Sequence, residues 1–250
     1  MKITVLVENS TRIDNYLLAE PALSLLIEAD GRKILFDTGY SDIFLRNAKN
    51  LNIDLNNITD IVLSHGHDDH TGGLRYFSPE THNITFTAHP NIFDTKVDQN
   101  GISYGCPVTK NYIEENFILN LTAEPYYLSS NLLFLGEIEK NSSDDIDDSA
   151  LVYVMQDKLF IITGCSHSGI KNIINQAKKV TGIHKVYGIL GGLHLIGAEE
   201  KELNELGNFF SSEQIEYIAP CHCCDLKSKI ILSQKNTIRE ICTGDIIEIV

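Results

Sequence analysis

The stretch IVLSHGHDDHTG, residues 61–72, decides how the rest of the chain is interpreted. Three histidines and two aspartates fall within six consecutive positions, 65–70, directly after a run of β-forming residues. On an extended or turning segment, residues two apart point the same way, so His65 and His67 can bind one cation while Asp69 and His70 face a second. Ligands for metal ions explain this pattern better than a solvated loop or a set of capping residues.

The composition indicates an ordinary globular protein with an acidic surface. The chain has 250 residues, of which 43% are hydrophobic, and its formal net charge is −14. A sizeable core is expected, whereas general attraction to a phosphate backbone is disfavoured, so a nucleic-acid partner is not expected. A small anionic substrate would need a local positive charge, which bound metal cations would supply.

The N-terminal sequence and the absence of a long apolar run indicate a cytoplasmic protein. The segment MKITVLVENS lacks the features of a signal peptide, and no apolar run approaches the roughly 20 residues of a membrane span. We therefore expect a cytoplasmic location without a membrane partner. The six cysteines are not spaced as in a zinc finger, and in this compartment we expect them to be reduced rather than to form disulfides.

The first third of the chain predicts strands that alternate with short helices. KITVLVE, LSLLIEA and KILFDTG read as three antiparallel strands, with Asp30-Gly31 as a hairpin turn between the last two. A helix is predicted from Ser41, which is a plausible N-cap, and a buried strand is predicted over ITDIVLSH. Residues 91–124 lack clear periodicity, and an irregular insertion there would be either a functional lid or an ordinary surface excursion.

The second half repeats this order of elements. Two strand pairs are followed by a helix over SGIKNIINQAKKV, a strand, a helix over AEEKELNELGNFFSS, a strand and a helix starting near Asp225, and the chain ends in strand-like IREICTGDIIEIV. The acidic run SSDDIDDS, 142–149, is expected to be a solvated loop, and His82, His89 and His184 to be structural. Together the two similar halves predict an α+β sandwich formed by a single domain, residues 1–250.

Four separated motifs resemble one known family. The H-x-H-x-D-H motif, preceded by Asp37-Thr38-Gly39, resembles the metallo-β-lactamase superfamily of αβ/βα sandwich hydrolases. GCSHSGI at 164–170, GGLHL at 191–195 and PCHC at 220–223 are similar to the narrower group of dihydropterin ribofuranosylaminobenzene phosphate synthase-like proteins. The resemblance covers nearly the whole chain. It implies a four-layer αβ/βα sandwich, the metallo-β-lactamase fold, with the site at the sheet edges.

The resemblance also implies a set of metal ligands. In the matching positions, the first metal would be held by His65, His67 and His167, and the second by Asp69, His70 and His222. Asp37 would orient the ligand loop from behind. The metals would be two divalent cations, with zinc as the default and manganese or iron as alternatives.

Two positions near the expected site leave alternatives open. His194 follows Gly191-Gly192 and would contact substrate, stabilise developing charge or form a hydrogen bond in the core. Many relatives have a metal-bridging Asp where this chain has Cys165, which would then be a thiolate ligand, a residue behind the ligands or a small buried hydrophobe.

Two further features of the sequence bear on the site. The cysteines around His222, at 221, 223 and 224, are expected to pack there, since adjacent residues rarely converge on one ion. Glu20-Pro21-Ala22 departs from the Glu-His-Gly of the narrower group, which puts a shared substrate in doubt.

The function predicted from these residues is metal-dependent hydrolysis or group transfer on a small phosphorylated substrate, a pterin-like one included. A hydroxide shared by the two cations would be the nucleophile, with Asp69 and His194 as catalytic residues. The alternatives are a nuclease of the same superfamily and a non-catalytic sensor of metal or ligand. The sequence does not indicate an oligomeric state.

Overall fold

The computed structural model describes residues 1–80, 83–139 and 146–250. These residues separate into two units, Met1–Glu124 with Cys242–Val250 and Pro125–Ile241. His82 and residues 142–145 of the acidic run lie outside the described ranges, so their predictions stay open. Within those ranges, no helix is long and apolar enough to cross a bilayer.

The elements are numbered in chain order. The strands are β1 (Lys2–Val7), β2 (Ser24–Ala29), β3 (Arg32–Phe36), β4 (Asp60–Val62), β5 (Thr85–Ala88), β6 (Ile118–Leu121), β7 (Tyr126–Tyr127), β8 (Leu132–Phe134), β9 (Ala150–Met155), β10 (Lys158–Thr163), β11 (Lys185–Gly192), β12 (Tyr217–Cys221) and β13 (Ile246–Glu248). The α-helices are α1 (Ile43–Asn50), α2 (Asp68–Thr71), α3 (Lys110–Asn116), α4 (Ile170–Thr181), α5 (Glu200–Ser212) and α6 (Leu226–Ser233). Short 3-10 helices cover Leu55–Asn57, Gly72–Arg75 and Pro90–Phe93.

The first unit contains a seven-stranded sheet in the order β13-β1-β2-β3-β4-β5-β6. As predicted, β1, β2 and β3 are antiparallel, and Asp30 and Gly31 form the hairpin turn with φ of 49° and 78°. From β3 to β6 the neighbouring strands are parallel. Since parallel strands end at the same edge of a sheet, the loops after β3 and β4 emerge side by side.

Helix α1 packs on this sheet through its apolar face. Phe44 and Ala48 are buried in one cluster with Leu35 and Ile61 of the strands, and burying one such large side chain contributes roughly 1.5–3 kcal/mol. The helix begins one residue later than predicted, because Asp42 is at the N-cap position. The predicted cap, Ser41, instead donates its hydroxyl to Glu20 Oε2 over 2.6 Å.

Residues 91–124 are more regular than expected. They include α3 and β6, and β6 pairs in parallel with β5. Thr109 caps α3 by accepting a hydrogen bond from the Tyr112 amide over 3.2 Å, and Ile113 is fully buried. A single buried position in a short helix gives too weak a periodicity to detect in sequence. The longest irregular stretch covers residues 94–109.

The second unit contains a six-stranded sheet in the order β12-β11-β10-β9-β8-β7. Strands β7 to β10 are antiparallel, whereas β10, β11 and β12 are parallel. Helices α4 and α5, both predicted, connect the parallel strands and pack on the sheet through buried residues: Ile170, Ile173, Ile174, Ala177, Leu203, Leu206 and Phe210. Antiparallel strands thus precede parallel ones in both units, as the sequence predicted.

Two further predictions about local structure need correction. At the end of the acidic run, Asp147, Asp148 and Ser149 are buried rather than solvated, because this segment leads directly into β9. The last thirteen residues contain only one short strand, Ile246–Glu248. His89, by contrast, has the structural role that was predicted: its Nδ1 accepts a hydrogen bond from the Asn91 amide over 3.2 Å.

Candidate metal centre

The predicted site residues of the first unit follow two neighbouring parallel strands. Asp37 comes directly after β3, and His65 follows β4 by three residues. Because Phe36 pairs with Val62 in the parallel register, the two loops leave the sheet at the same edge. Carboxyl ends of parallel strands are a common place for ligands to bind.

Asp37 is the centre of a buried hydrogen-bond network. Its Oδ1 accepts from the Ser64 amide over 2.8 Å, and its Oδ2 accepts from the Ser64 hydroxyl over 2.7 Å. The same Oδ2 lies 2.7 Å from Nδ1 of His70, and both side chains are fully buried. Asp37 has a φ of 56°, a conformation that Asp tolerates better than most residues.

This network fixes which nitrogen of each imidazole carries a lone pair. His70 donates from Nδ1 to the Asp37 carboxylate, so its lone pair lies on Nε2. Since the Ser64 proton is given to Asp37, the Ser64 oxygen accepts from His65 Nδ1, which is 2.9 Å away. His65 therefore also has its lone pair on Nε2. Ligating histidines in proteins are usually held in this way. Ser64 was not identified from the sequence, where it is an ordinary loop residue.

The imidazoles and the carboxylate of the motif converge. The ring centroids of His65 and His67 are 4.5 Å apart, and those of His65 and His70 are 4.3 Å apart. Nε2 of His70 lies 3.7 Å from Oδ2 of Asp69, a distance at which both atoms can contact one cation. The four residues that the sequence singled out here are thus brought together, and this donor set fits a divalent metal ion.

The insertion reaches this motif through Tyr104 and Gly105. The Tyr104 carbonyl accepts a hydrogen bond from the Asp68 amide over 2.8 Å, and its ring lies edge-on to His67 with centroids 5.0 Å apart. Gly105 forms an isolated antiparallel bridge with His67. Burial raises the pKa of Asp68, and the charge of Asp69 adds to this effect. Tyr104 was not identified from the sequence, because it lies in a segment that lacks clear periodicity.

Glu20 supports the loop that follows Asp37. Its Oε1 accepts hydrogen bonds from the amides of Tyr40, over 2.9 Å, and Ser41, over 3.2 Å. Glu20 therefore has a structural role. Ala22, which stands where the narrower group has glycine, is buried in the core.

In the second unit, the predicted site residues follow three adjacent parallel strands. Cys165 and His167 come after β10, His194 after β11, and His222 after β12. His194 and His222 have φ of 52° and 53°. Backbone strain of this kind concentrates at functional sites, where surrounding structure holds it in place.

The loop that contains His167 is held on both sides. The Ser166 hydroxyl donates to the Gly192 carbonyl over 2.7 Å, and the Ser168 amide donates to Oδ2 of Asp148 over 2.8 Å. Asp148 and Ser166 are both buried. Asp148 was missed because the acidic run that contains it predicted a solvated loop.

His167 and His194 border a cavity in the second unit. Their ring centroids are 4.4 Å apart, and the cavity has a volume of about 400 Å³. The side of the cavity formed by α4 and α5 includes Lys171, Glu202 and Glu205. His194 is exposed, which fits the predicted contact with substrate better than the core alternative.

The cysteines of this unit are buried, and none of the six cysteines, all of them in described ranges, forms a disulfide. Cys224 packs in the core cluster as expected. A hydrogen bond with Cys165 raises the pKa of Cys223 well above its usual range, and a hydrogen bond with Cys223, together with burial, does the same to Cys224. The role of Cys165 behind the metal ligands stays a prediction.

A family model and several relatives match this chain. The model described as the metallo-β-lactamase superfamily matches residues 18–158. The chain belongs to this superfamily. The α+β fold class and the resemblance stated from the motifs are thereby confirmed.

Two proteins of Methanocaldococcus jannaschii are similar over almost their full length. An uncharacterized protein is 32% identical, covering 94% of this chain and 94% of its own. The 7,8-dihydropterin-6-methyl-4-(beta-D-ribofuranosyl)-aminobenzene-5'-phosphate synthase is 30% identical, covering 99% of this chain and 96% of its own. Among solved structures, Tm1679, a metal-dependent hydrolase of the β-lactamase superfamily, is 28% identical with a TM-score of 0.86, covering 100% of this chain and 99% of its own.

Proposed function

We propose that the protein is a dinuclear metal-dependent enzyme that hydrolyses, or transfers a group from, a small phosphorylated substrate. The observation that carries this proposal is the orientation of His65 and His70, whose Nδ1 atoms are engaged by Ser64 and Asp37. Both imidazoles thus present Nε2, beside the ring of His67 and the carboxylate of Asp69. A purely structural cluster would not need this set of donors with fixed tautomers.

His65, His67 and His167 would hold one cation, and Asp69, His70 and His222 the other. Zinc is the cation that imidazole-rich sites of this superfamily typically bind. Mn²⁺ and Fe²⁺ are also compatible with a donor set of imidazole and carboxylate.

Two divalent cations would supply Lewis acidity and lower the pKa of water toward neutrality. The role of the protein's own residues is to position the reacting groups. Asp69 is the partly exposed carboxylate of the motif, with 29% of its side chain accessible, so it can orient the nucleophile and accept its proton. His194 is exposed at the cavity and can donate a hydrogen bond to the oxygen of the departing group.

The substrate class follows from charge and from the cavity. A chain with net charge −14 attracts an anionic substrate only where cations are concentrated, which favours phosphate or diphosphate groups at the metals. The cavity of about 400 Å³ beside His167 and His194 is within the range that holds small organic ligands. We propose that it takes the organic part of the substrate, a pterin-like heterocycle, in keeping with the name of the synthase relative.

The test is a turnover assay on metal-replete protein. Phosphomonoesters, phosphodiesters and a pterin diphosphate are each supplied with and without an aromatic amine acceptor. Product that forms only with the amine identifies a transferase, and product that forms in water alone identifies a hydrolase. His65→Ala should abolish turnover, whereas His89→Ala, a structural histidine of the same unit, should not. If the protein binds metal and ligand but shows no turnover on any of these compounds, it is a sensor and the proposal is wrong.

A further inference from the structure

Three potential metal ligands outside the proposed dinuclear set lie together in the second unit. The Sγ atoms of Cys165 and Cys223 and a ring nitrogen of His194 are all within 4.8 Å of one another. They come from the ends of β10, β11 and β12, so residues far apart in sequence converge here. This arrangement differs from the adjacent cysteines of the PCHC motif, which cannot easily bind one ion together.

The two thiols are buried and the imidazole is not. Cys165 is 4% exposed and Cys223 is 8% exposed, whereas the side chain of His194 is exposed. A cation could therefore enter from the side of His194 and be held by sulfur beneath. Sulfur and imidazole together form a soft donor set, of the kind that selects Zn²⁺ over Mg²⁺ or Ca²⁺.

The backbone around Cys223 is arranged to accommodate its sulfur. The His194 amide donates to Cys223 Sγ over 3.1 Å, and the next sulfur, Cys224 Sγ, accepts from the Leu193 amide over 3.3 Å. Hydrogen bonds from backbone amides to sulfur are a general means of tuning metal-bound thiolates. At Gly192 a Cβ would lie 2.5 Å from Cys223 Sγ, so the glycine leaves the space that the sulfur fills.

We infer that Cys165, Cys223 and His194 form a binding site for one Zn²⁺ ion. On binding, two Zn–S bonds and one Zn–N bond form, the two thiol protons are released to solvent, and no redox change occurs. None of the six ligands of the proposed metal pair is used. His194 would therefore bind either this ion or the substrate at a given time. Its contact with the substrate rests on the proposed function.

The test uses Co²⁺ as a spectroscopic probe of the protein stripped of metal. Thiolate ligands give Co²⁺ an intense charge-transfer band in the near ultraviolet, which imidazole and carboxylate ligands do not give. The wild-type protein should develop this band, and Cys223→Ser and Cys165→Ser should each lose about half of it or more. The matched control is Cys242→Ser, which removes a thiol that is also buried, at 3% exposed, but belongs to the first unit. This variant should keep the full band.

Two outcomes would overturn the inference. One is the absence of a charge-transfer band in the wild-type protein. The other is a band that is lost in Cys165→Ser but kept in Cys223→Ser, which would mean that Cys165 binds a metal without its proposed partner. Should a serine variant fail to fold, X-ray absorption at the zinc edge of the wild-type protein decides the matter, since bound thiolates give a sulfur shell at about 2.3 Å. A spectrum without that shell also refutes the site.

The site formed by Cys165, Cys223 and His194, here called the thiol site, can be tested independently of the proposed enzymatic function. The double variant His65→Ala/His67→Ala removes two ligands of the proposed metal pair and leaves all three ligands of the thiol site. We expect it to lose turnover and retain the charge-transfer band. If the wild-type protein has no turnover but shows the band, the proposed function is wrong and the thiol site stands.

Discussion

Replacing Asp37 with asparagine should weaken metal binding through the tautomer of His70. In the wild-type protein, Oδ1 of Asp37 must accept from the Ser64 amide, so the side-chain nitrogen of the new asparagine would have to take the position of Oδ2. There it faces Nδ1 of His70 as a donor, where the carboxylate was an acceptor 2.7 Å away. His70 can then accept only by moving its proton to Nε2, which removes the lone pair needed for a metal.

The expected magnitude follows from comparable sites. Loss of a residue that orients a ligating histidine typically lowers metal affinity by about 10–100-fold, or roughly 1.4–2.7 kcal/mol. The variant also weakens two hydrogen bonds to a buried carboxylate, each worth about 1.5–3 kcal/mol, so the metal-free protein should lose about 2–4 kcal/mol of unfolding free energy. Asparagine tolerates the φ of 56° at this position, so no added backbone strain is expected.

The assay titrates Zn²⁺ into metal-free protein against a chelator of known affinity, with urea unfolding measured in parallel. The matched control is Asp60→Asn, because Asp60 is an equally buried carboxylate of the same sheet that binds Arg32 and Thr59 instead of a histidine. This control should lose comparable stability while its metal affinity stays unchanged. Equal losses of metal affinity in both variants, or none in Asp37→Asn, would refute the tautomer argument.

Three further variants test how the second unit is built. Asp148→Ala removes the acceptor of the Ser168 amide and should lower the free energy of unfolding in urea by about 1–3 kcal/mol. Unchanged stability would show that this hydrogen bond does not hold the loop. Gly191→Ala should reduce stability by more than about 4 kcal/mol, since its Cβ would lie 1.9 Å from the backbone oxygen of Thr163. The control is Gly182→Ala, which also has positive φ but has open space around it and should cost only about 1–2 kcal/mol. Equal costs in the two variants would contradict the argument from close approach. Asp225→Ala should cost about 1 kcal/mol at neutral pH. The hydroxyl and amide of Ser228 lower the pKa of Asp225, so this stabilisation is present above the usual pKa of 3.8 and should disappear as pH falls through the lower pKa of the folded state. A difference in stability between wild type and variant that does not change with pH would contradict this role of Asp225.

Much of the fold could be predicted because the relevant signals are local. The turn at Asp30 and Gly31, the apolar faces of α4 and α5, and the change from antiparallel to parallel strands are all encoded by neighbouring residues. The weak points were segments whose burial depends on distant contacts. α3 and the buried end of the acidic run have polar sequences, and only their packing shows that they are ordered parts of the fold.

The sequence by itself determined the candidate metal ligands and their positions after strands, since strand periodicity and the H-x-H-x-D-H spacing are read within a few residues. Only the tertiary structure decided which atoms face one another. Asp37 and His70 are 33 residues apart, Asp148 and Ser168 are 20 apart, and Cys165 and Cys223 are 58 apart. Their contacts depend on strand register and on positive backbone φ at the strand ends, and a hydrogen bond is made or lost over a few tenths of an ångström. Local sequence patterns do not contain that geometry.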